Sequence, residues 1–357
     1  MRDLLEAIPD ARARSTSEPG ARMRQGSDAG ESLGQPSCSR LDYLDQRIVA
    51  ALQANARATW RQIAAVVGSS ESTVKRRAER LVQSGTIRIT VFTESVSPGF
   101  PVLVQCTCKI GGAPAVARRL AERDDVRFVA LVTGPFDVVA EMIVPSNRRL
   151  AGIILQELPA IPGITGTTTE TVLRTFKTSY DWSRDLLGDK GADLDPPPNR
   201  CDGAAGPVVL DEISLNILQA LREDGRCSVA DLATRCGITE STARYRVDNL
   251  FTKAGVRAVT LVDPSLLGYD AELFVWLRVE LARLEEVAAA LAARREVRYI
   301  STTSGYSDLV CEVFLRSQSD VYEFTTGVLG KLPGIQHVNM SSELLTLKRA
   351  YLRLDRP

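Results

Sequence analysis

The sequence predicts an α+β fold built twice over, each half a helical unit followed by a βαββαβ unit. Three observations predict it. The chain repeats itself: Leu41-Asp42 superimposes on Leu210-Asp211, and without a gap Ile48 falls on Ile217, Leu52 on Leu221, Arg57 on Arg226, Ala64 on Ala233, Gly68 on Gly237 and Leu81 on Leu250. Glu71-Ser72-Thr73 falls on Glu240-Ser241-Thr242, and a slightly longer shift places Gly134-x-x-Asp137 on Gly305-x-x-Asp308 and Pro162-Gly163-Ile164 on Pro333-Gly334-Ile335. A register kept over so long a span marks a tandem duplication. Within each copy, apolar residues recur first at helical spacing and then in strand-like runs. The 357 residues, 44% hydrophobic and 25% charged, have the composition of globular domains rather than of a disordered chain.

Residues 1–40 are rich in Ser, Gly, Pro and Arg without periodicity, so burial cannot offset their chain entropy; they read as a disordered tail or an overlong start. The first helical unit takes residues 41–94. Leu44, Ile48 and Leu52 make a buried stripe, Asn55-Ala56-Arg57 breaks it, and Thr59 with Gln62 has capping-box spacing before a helix that stops at Gly68. Next come a turn, a helix burying Val74, Ala78 and Leu81, and a short strand, Ile87 to Phe92, that closes the unit as a wing. Residues 98–180 hold VLVQCTCKI, a helix from Pro114 to about Arg123, RFVALVTG, DVVAEMIV, a helix from Asn147 to about Leu158 and a strand from Thr165 to Thr175. That order is ferredoxin-like. Residues 181–207 contain GDKGADLDPPPNRCDGAAGP, whose Gly and Pro stop helix and strand alike, and read as a linker. The second helical unit, 208–264, has Ser228 and Asp231 at the capping positions, Gly237 at the stop, the stripe Ala243, Val247 and Leu250, and Val256 to Val262 as its wing. The second ferredoxin-like unit, 270–353, has strands ELFVWLRVEL, RYISTTSG and DLVCEVFL, a helix around Val321 to Leu332 and a last strand near Val338 to Leu347.

Ala64 and Ala233 are small enough for two short helices to cross closely, and Gly68 and Gly237 supply the left-handed turn between them. Each helical unit therefore reads as a winged helix-turn-helix, a motif that sets its second helix into the major groove of DNA. In the first copy the candidate DNA contacts are Ser70, Ser72 and Thr73 at the helix N-terminus, suited to phosphate, and Lys75, Arg76, Arg77 and Arg80, suited to guanine edges and phosphates. In the second copy they are Thr239, Ser241, Thr242, Arg244, Tyr245 and Arg246, with Asn249 in the place of Arg80.

Lys plus Arg and Asp plus Glu are equal at 44 each, which excludes a global pull toward a polyanion. Resolved by segment, residues 41–94 hold eight basic against five acidic groups, residues 208–264 seven against eight, and residues 181–207 three against six. Phosphate affinity needs local cations, because it arises from counterion release. DNA binding is therefore expected to be asymmetric and led by the N-terminal copy.

The runs LDYLDQRIVAALQANAR and IAAVVGSSESTVKRR, followed by a βαββαβ unit with its GxxD turn, resemble the Lrp/AsnC (feast/famine) family of transcriptional regulators. The resemblance covers about residues 41–180 and again about 208–353; the tandem departs from the family's usual single-unit subunit. It implies a sequence-specific DNA-binding regulator whose affinity for double-stranded DNA is modulated, by linkage, by a small effector such as an amino acid. It also implies that the ferredoxin-like domains sense that effector and dimerise by packing their sheets face to face. The two copies would then pair within one chain, leaving surfaces for a homo-oligomer. Gly134, Asp137, Gly305 and Asp308 follow as effector-binding candidates, although turn chemistry alone explains Gly and Asp at such places equally well.

Other readings compete. Fused two-unit proteins similar to this family include sirohaem decarboxylases, in which histidines of the back domain matter; His337 is the single histidine here, which ranks that enzyme reading below the regulator. A sensing or assembly protein that no longer touches DNA would explain the lost basic charge of the second copy. Cys106-x-Cys108 shares a strand face, yet without a second pair or a nearby His it reads as two small hydrophobes rather than a metal or redox site. No cofactor is expected. The N-terminal MRDLLEAIPD lacks the basic start and apolar core of a signal peptide, seven scattered cysteines suit reduced thiols, and no apolar run approaches the roughly twenty residues of a membrane span. Together these point to a cytoplasmic protein.

Overall fold

A computed structural model describes residues 40–93, 99–194 and 210–354. The expected tail lies, up to residue 39, outside the described residues, and so does the linker from residue 195 to 209. The first copy runs α1 (Tyr43–Ala54), α2 (Trp60–Val67), α3 (Glu71–Gln83), β1 (Ile87–Thr93), β2 (Phe100–Cys108), α4 (Ala113–Ala121), β3 (Val126–Val132), β4 (Val138–Val144), α5 (Asn147–Gly152) and β5 (Ile164–Thr178). The second runs α6 (Glu212–Glu223), α7 (Val229–Cys236), α8 (Glu240–Thr252), β6 (Val256–Val262), β7 (Ala271–Val279), α9 (Leu284–Ala292), β8 (Val297–Ser304), β9 (Leu309–Leu315), α10 (Gln318–Glu323) and β10 (Ile335–Arg349), with a short β11 (Leu352–Arg353) folded back on β10.

The helix boundaries follow their capping chemistry. Asp42 and Asp211 accept the amides of Asp45 and Ser214 to open α1 and α6. Thr59 and Gln62 form the full capping box of α2. Ser228 caps the Asp231 amide, but the Asp231 carboxylate takes the Ser228 hydroxyl at 2.7 Å, so α7 has the Ser half of the box only. Gly68 (φ 74°) and Gly237 (φ 64°) end α2 and α7 in the left-handed conformation expected of them.

The wings differ from expectation. Each packs on its own unit, Ile87 and Ile89 in the first core and Val256 in the second, but β1 and β6 also pair with each other, antiparallel, from Ile87↔Val262 to Thr93↔Val256. A lone wing strand would leave both edges unpaired, and pairing with its twin satisfies one edge of each. The repeated Arg57 and Arg226 reinforce this join. Arg57 Nη1 donates to the Gly225 carbonyl at 2.6 Å, while Arg226 reaches the Ala56 and Ala58 carbonyls at 2.7 and 2.9 Å with its guanidinium 4.0 Å from the Trp60 ring centre. Burial, followed by repulsion from Arg57, lowers the Arg226 pKa to about 10. Arg226→Ala is expected to cost about 2 kcal/mol, from two charge-assisted bonds and a cation–π contact, read as a lower urea midpoint.

The segment expected to be a featureless linker also differs. Residues Arg184–Leu194 form 3-10 turns, kinked at Gly188 (φ 61°, ψ −148°), which bury Leu187 and Leu194 in the core of the first helical unit. Gly188 bends this chain rather than abolishing its structure. Just before it, Trp182 packs edge-on against Tyr269 and Phe314, each at 5.1 Å, tying the connection to the second ferredoxin-like unit.

The two ferredoxin-like sheets, ordered β3-β4-β2-β5 and β8-β9-β7-β10, join along both edges, β5 to β8 and β10 to β3. With β10 paired to β7 as well, eight strands close into a ring. The pairing implied by the resemblance thus exists inside one chain, with hydrogen-bonded edges in addition to facing sheets. Leu103, Phe128, Ala130, Val139, Phe274, Trp276 and Val310 fill the space between the sheets. Helices α4 and α5 cover one outer face, α9 and α10 the other. Both α5 and α10 are shorter than expected as α-helix, continuing as π turns over Ile153–Glu157 and Phe324–Val328.

Two equivalent Arg–Glu pairs, Arg127 with Glu141 and Arg298 with Glu312, are buried in this ring, Arg127 against Phe92 of β1 and Arg298 against Tyr180 and Phe314. The second copy adds Arg349, bonded to Glu312 at 2.7 Å and Glu343 at 3.0 Å and 3.9 Å from Glu272. Burial alone would raise the Glu312 pKa, but Arg298 and Arg349 outweigh it and hold the group below the usual carboxylate range.

Candidate nucleic-acid interface and sensing turns

Helices α3 and α8 are the second helices of their helix-turn-helix units, and each begins with a hydroxyl cap. Ser70 accepts the Thr73 amide at 3.2 Å and bonds the Thr73 hydroxyl at 2.8 Å; Thr239 does the same with Thr242 at 3.3 and 2.9 Å. Ser72 and Ser241 stay exposed beside these caps. Ser72 and Ser241 also bond the cap hydroxyls, at 3.2 and 3.0 Å, so all six candidate hydroxyls join the networks at the helix starts. The free amides of the first turn remain at its tip.

The basic candidates separate into two groups. Lys75 and Arg76 are exposed on α3, Lys75 having only a loose i,i+4 contact with Glu79 at 3.9 Å. Arg77 turns back instead, reaching Asp42 at 2.5 Å and Asp45 at 2.9 Å, and Arg80 pairs with the same buried Asp45. In α8 Arg246 clasps both oxygens of Asp211 at 2.6 Å and Ser214 at 2.8 Å, whereas Arg244 and Tyr245 are exposed. Arg77 thus ties α3 to the N-cap of α1, and Arg246 ties α8 to the N-cap of α6. The Asp45 amide, then Arg77, holds Asp42 below the usual carboxylate range, and Arg246 does so for Asp211. Spacing alone could not separate these clamps from outward cations, although Asp42 and Asp211 at equivalent places were the available signal.

The GxxD segments are the β3–β4 and β8–β9 hairpin turns. The Asp137 carboxylate accepts the Cys108 amide at 2.6 Å, and its own amide donates to the Cys106 carbonyl. Asp308 repeats this with the Val279 amide at 2.8 Å and the Leu277 carbonyl. Both aspartates therefore fasten their turn to the first strand of their sheet, as turn chemistry suggests. Each turn also meets the last strand of the other copy: a Cβ on Gly134 would lie 2.8 Å from Ser341 Oγ, and one on Gly305 2.8 Å from Glu170 Cγ. The two turns are thus positions where both halves of the chain meet, a feature the sequence concealed because Glu170 and Ser341 are unlike.

Cys106 is fully buried under α4, and burial pushes its thiol pKa up to about 12 and that of Cys108 to about 11. His337 is exposed on β10 opposite Arg278.

Comparison with known proteins accords with this geometry. The family described as AsnC-type helix-turn-helix domain matches residues 41–82 and 210–250, and that described as Lrp/AsnC ligand binding domain matches residues 102–182 and 272–352. An uncharacterized HTH-type transcriptional regulator of Pyrococcus furiosus is 33% identical over 147 residues, 41% of this chain and 99% of its own. The HTH-type transcriptional regulator Ptr1 of Methanocaldococcus jannaschii is 31% identical over 142 residues, 38% of this chain and 95% of its own. Among solved structures, the siroheme decarboxylase NirDL covers 86% of this chain and 93% of its own with a TM-score of 0.58 at 13% identity, a likeness of fold.

Proposed function

The chain belongs to the Lrp/AsnC family of DNA-binding transcriptional regulators, and we propose that it reads an operator of two unlike half-sites, one with each helix-turn-helix. The pairing of β1 with β6 supports this most directly, because it joins the two units in one chain and fixes the separation of α3 and α8. A homodimer presents two copies of one surface and favours a palindrome. Here the exposed residues differ: Lys75 and Arg76 on α3 stand where Arg244 and Tyr245 stand on α8. The α3 half is the stronger, since it presents more cations to phosphate. In-vitro selection from random DNA by the full chain tests this. The expected outcome is a site of two different halves, bound more tightly than the palindrome of the α3 half, with the palindrome of the α8 half weakest. Enrichment of a palindrome, or of nothing, would refute the reading.

The two hairpin turns are the proposed effector positions, with Gly134 and Asp137 shaping one and Gly305 and Asp308 the other. Each is built from both halves of the ring, so a small molecule such as an amino acid bound there can bias their relative arrangement and, by linkage, DNA affinity. Leu173 and Leu344, exposed at equivalent bulges of β5 and β10, together with Ile110 and Leu281, offer surfaces for association of further chains. The regulator reading is preferred to an enzyme because the matching family models and relatives are regulators and His337, the single histidine, is exposed on β10. No helix among the described residues is long and apolar enough to cross a membrane, and a cytoplasmic location suits a DNA-binding regulator.

A further inference from the structure

The two sensing turns are related by the duplication, yet the chemistry around them is opposite. At the second turn the Glu170 side chain of β5 is buried against the hairpin. The Ser307 amide donates to its Oε1 at 3.2 Å, and the Tyr306 amide and Ser307 hydroxyl face the same carboxyl group. Thr303 Oγ1 donates to the Ser307 carbonyl at 2.7 Å and draws the loop tight. Glu170 is 1% exposed, and its Oε2 accepts no hydrogen bond among the described residues.

At the first turn these groups are replaced except the Ser307 amide, which Phe136 keeps as its own. Ser341 stands where Glu170 does, Pro135 has no N–H where Tyr306 has one, Phe136 has no hydroxyl where Ser307 has one, and Val132 replaces Thr303. The neighbouring strand follows suit. Gln105 lies diagonally beside Glu170 on the inner face, and Trp276 lies diagonally beside Ser341, where it meets Phe136 edge-on at 6.2 Å. The Ser341 hydroxyl is buried and unpartnered among the described residues. One turn is thus a set of donors around a carboxyl group; its twin is an aromatic wall around a hydroxyl.

We infer that the second turn is a carboxyl-binding site filled by the chain's own Glu170, so that of the two turns the first, between Ser341, Phe136 and Trp276, is the one not taken up by a carboxyl group of the chain and left for an external effector. Glu170 is a tethered occupant: a free carboxylic acid reaching the Gly305 turn meets donors already engaged and a turn already packed on the Glu170 stem. The effector half of this statement rests on the reading of the turns as effector positions; the carboxyl site itself does not.

Removing the tethered group should let a free one replace it. The full chain is compared with Glu170→Ala and with Glu170→Ser, the milder change because serine already stands at the equivalent place on β10. Melting is followed in sodium formate against sodium chloride at equal ionic strength, at about 50 mM, since so small a ligand binds weakly. The expected result is that both variants melt several degrees below the natural chain and that formate restores at least half of the loss. The natural chain and Ser341→Ala should gain nothing from formate beyond the chloride control. Variants that keep native circular dichroism but gain nothing specific from formate would overturn the inference, and so would an equal gain by the natural chain. Calorimetric titration with the protein amino acids then separates the two statements. A ligand that binds the natural chain once and Glu170→Ala twice supports the single open position, and two equivalents on the natural chain overturn it. If no amino acid binds either protein, the effector reading falls and formate rescue still decides the carboxyl site.

Discussion

Glu312→Ala is expected to destabilise the chain by about 3–5 kcal/mol, read from the urea midpoint, because it strips two buried guanidinium groups of their shared counter-charge. The Glu312 side chain is 3% exposed and joins Arg298 to Arg349, themselves 6% and 10% exposed. Arg349 retains Glu343 at 3.0 Å, but Arg298 has no other carboxylate bonded to it among the described residues. The loss is one of compensation rather than of packing, so the double change Arg298→Met with Glu312→Leu should recover most of it; a buried pair replaced whole by apolar groups is often neutral. If the double variant is as unstable as Glu312→Ala, packing rather than charge sets the cost.

The same cluster gives stability a dependence on pH. Burial first, and the Glu312 carboxylate second, push the Glu343 pKa up to about 7, and Glu272 is raised for like reasons, so the two titrate together. A carboxyl group whose pKa is raised on folding stabilises the fold fully below its unfolded value of about 4.5, and that contribution is lost as pH rises through about 7. The natural chain should therefore lose stability as pH rises from about 4.5 to about 7. Without Glu312 the second cause is gone, Glu343 ionises at lower pH, and the loss across that interval should shrink.

The duplication made most of the fold legible. Because each local signal appears twice, Gly68 and Gly237 or Pro162 and Pro333 could be read against each other, and the structure places each pair in equivalent turns. What stayed hidden depends on contacts between the copies. The pairing of β1 with β6 uses strand edges, and edges carry no side-chain pattern that names a partner. Arg57 and Arg226 were visible as a repeat but not as cross-copy clasps, since their acceptors are backbone carbonyls that every residue possesses. The structured stretch Arg184–Leu194 was masked by its glycines. At the candidate sites the sequence located the helices and turns that carry the candidate residues but not the direction of each side chain. That is how Arg77 and Arg246 came to be grouped with Lys75 and Arg76.

That distinction carries the second large effect. Lys75→Ala with Arg76→Ala is expected to weaken specific DNA binding about 100-fold or more, because each outward cation in a major groove contributes about 1–3 kcal/mol at a base edge and somewhat less at a phosphate. The slope of log affinity against log salt should fall by about 0.9 for each of the two that meets a phosphate, at most about 1.8. Stability should hardly change, since both side chains are exposed and neither ties α3 to α1. Arg77→Ala should behave in the opposite way. It breaks the bonds to Asp42 and Asp45 and leaves the nearly buried Asp45 to Arg80 alone, so the chain should lose stability while the salt slope stays where it was. On α8, Arg244→Ala should cost less affinity than either change on α3, since the unit around it holds more acidic than basic groups. Filter binding across a salt series, beside urea titrations of the same proteins, checks all of these. Unchanged binding by the Lys75–Arg76 variant would remove α3 from the groove. A lower salt slope for Arg77→Ala at undiminished stability would show that Arg77 leaves Asp42 to meet a phosphate when DNA is bound.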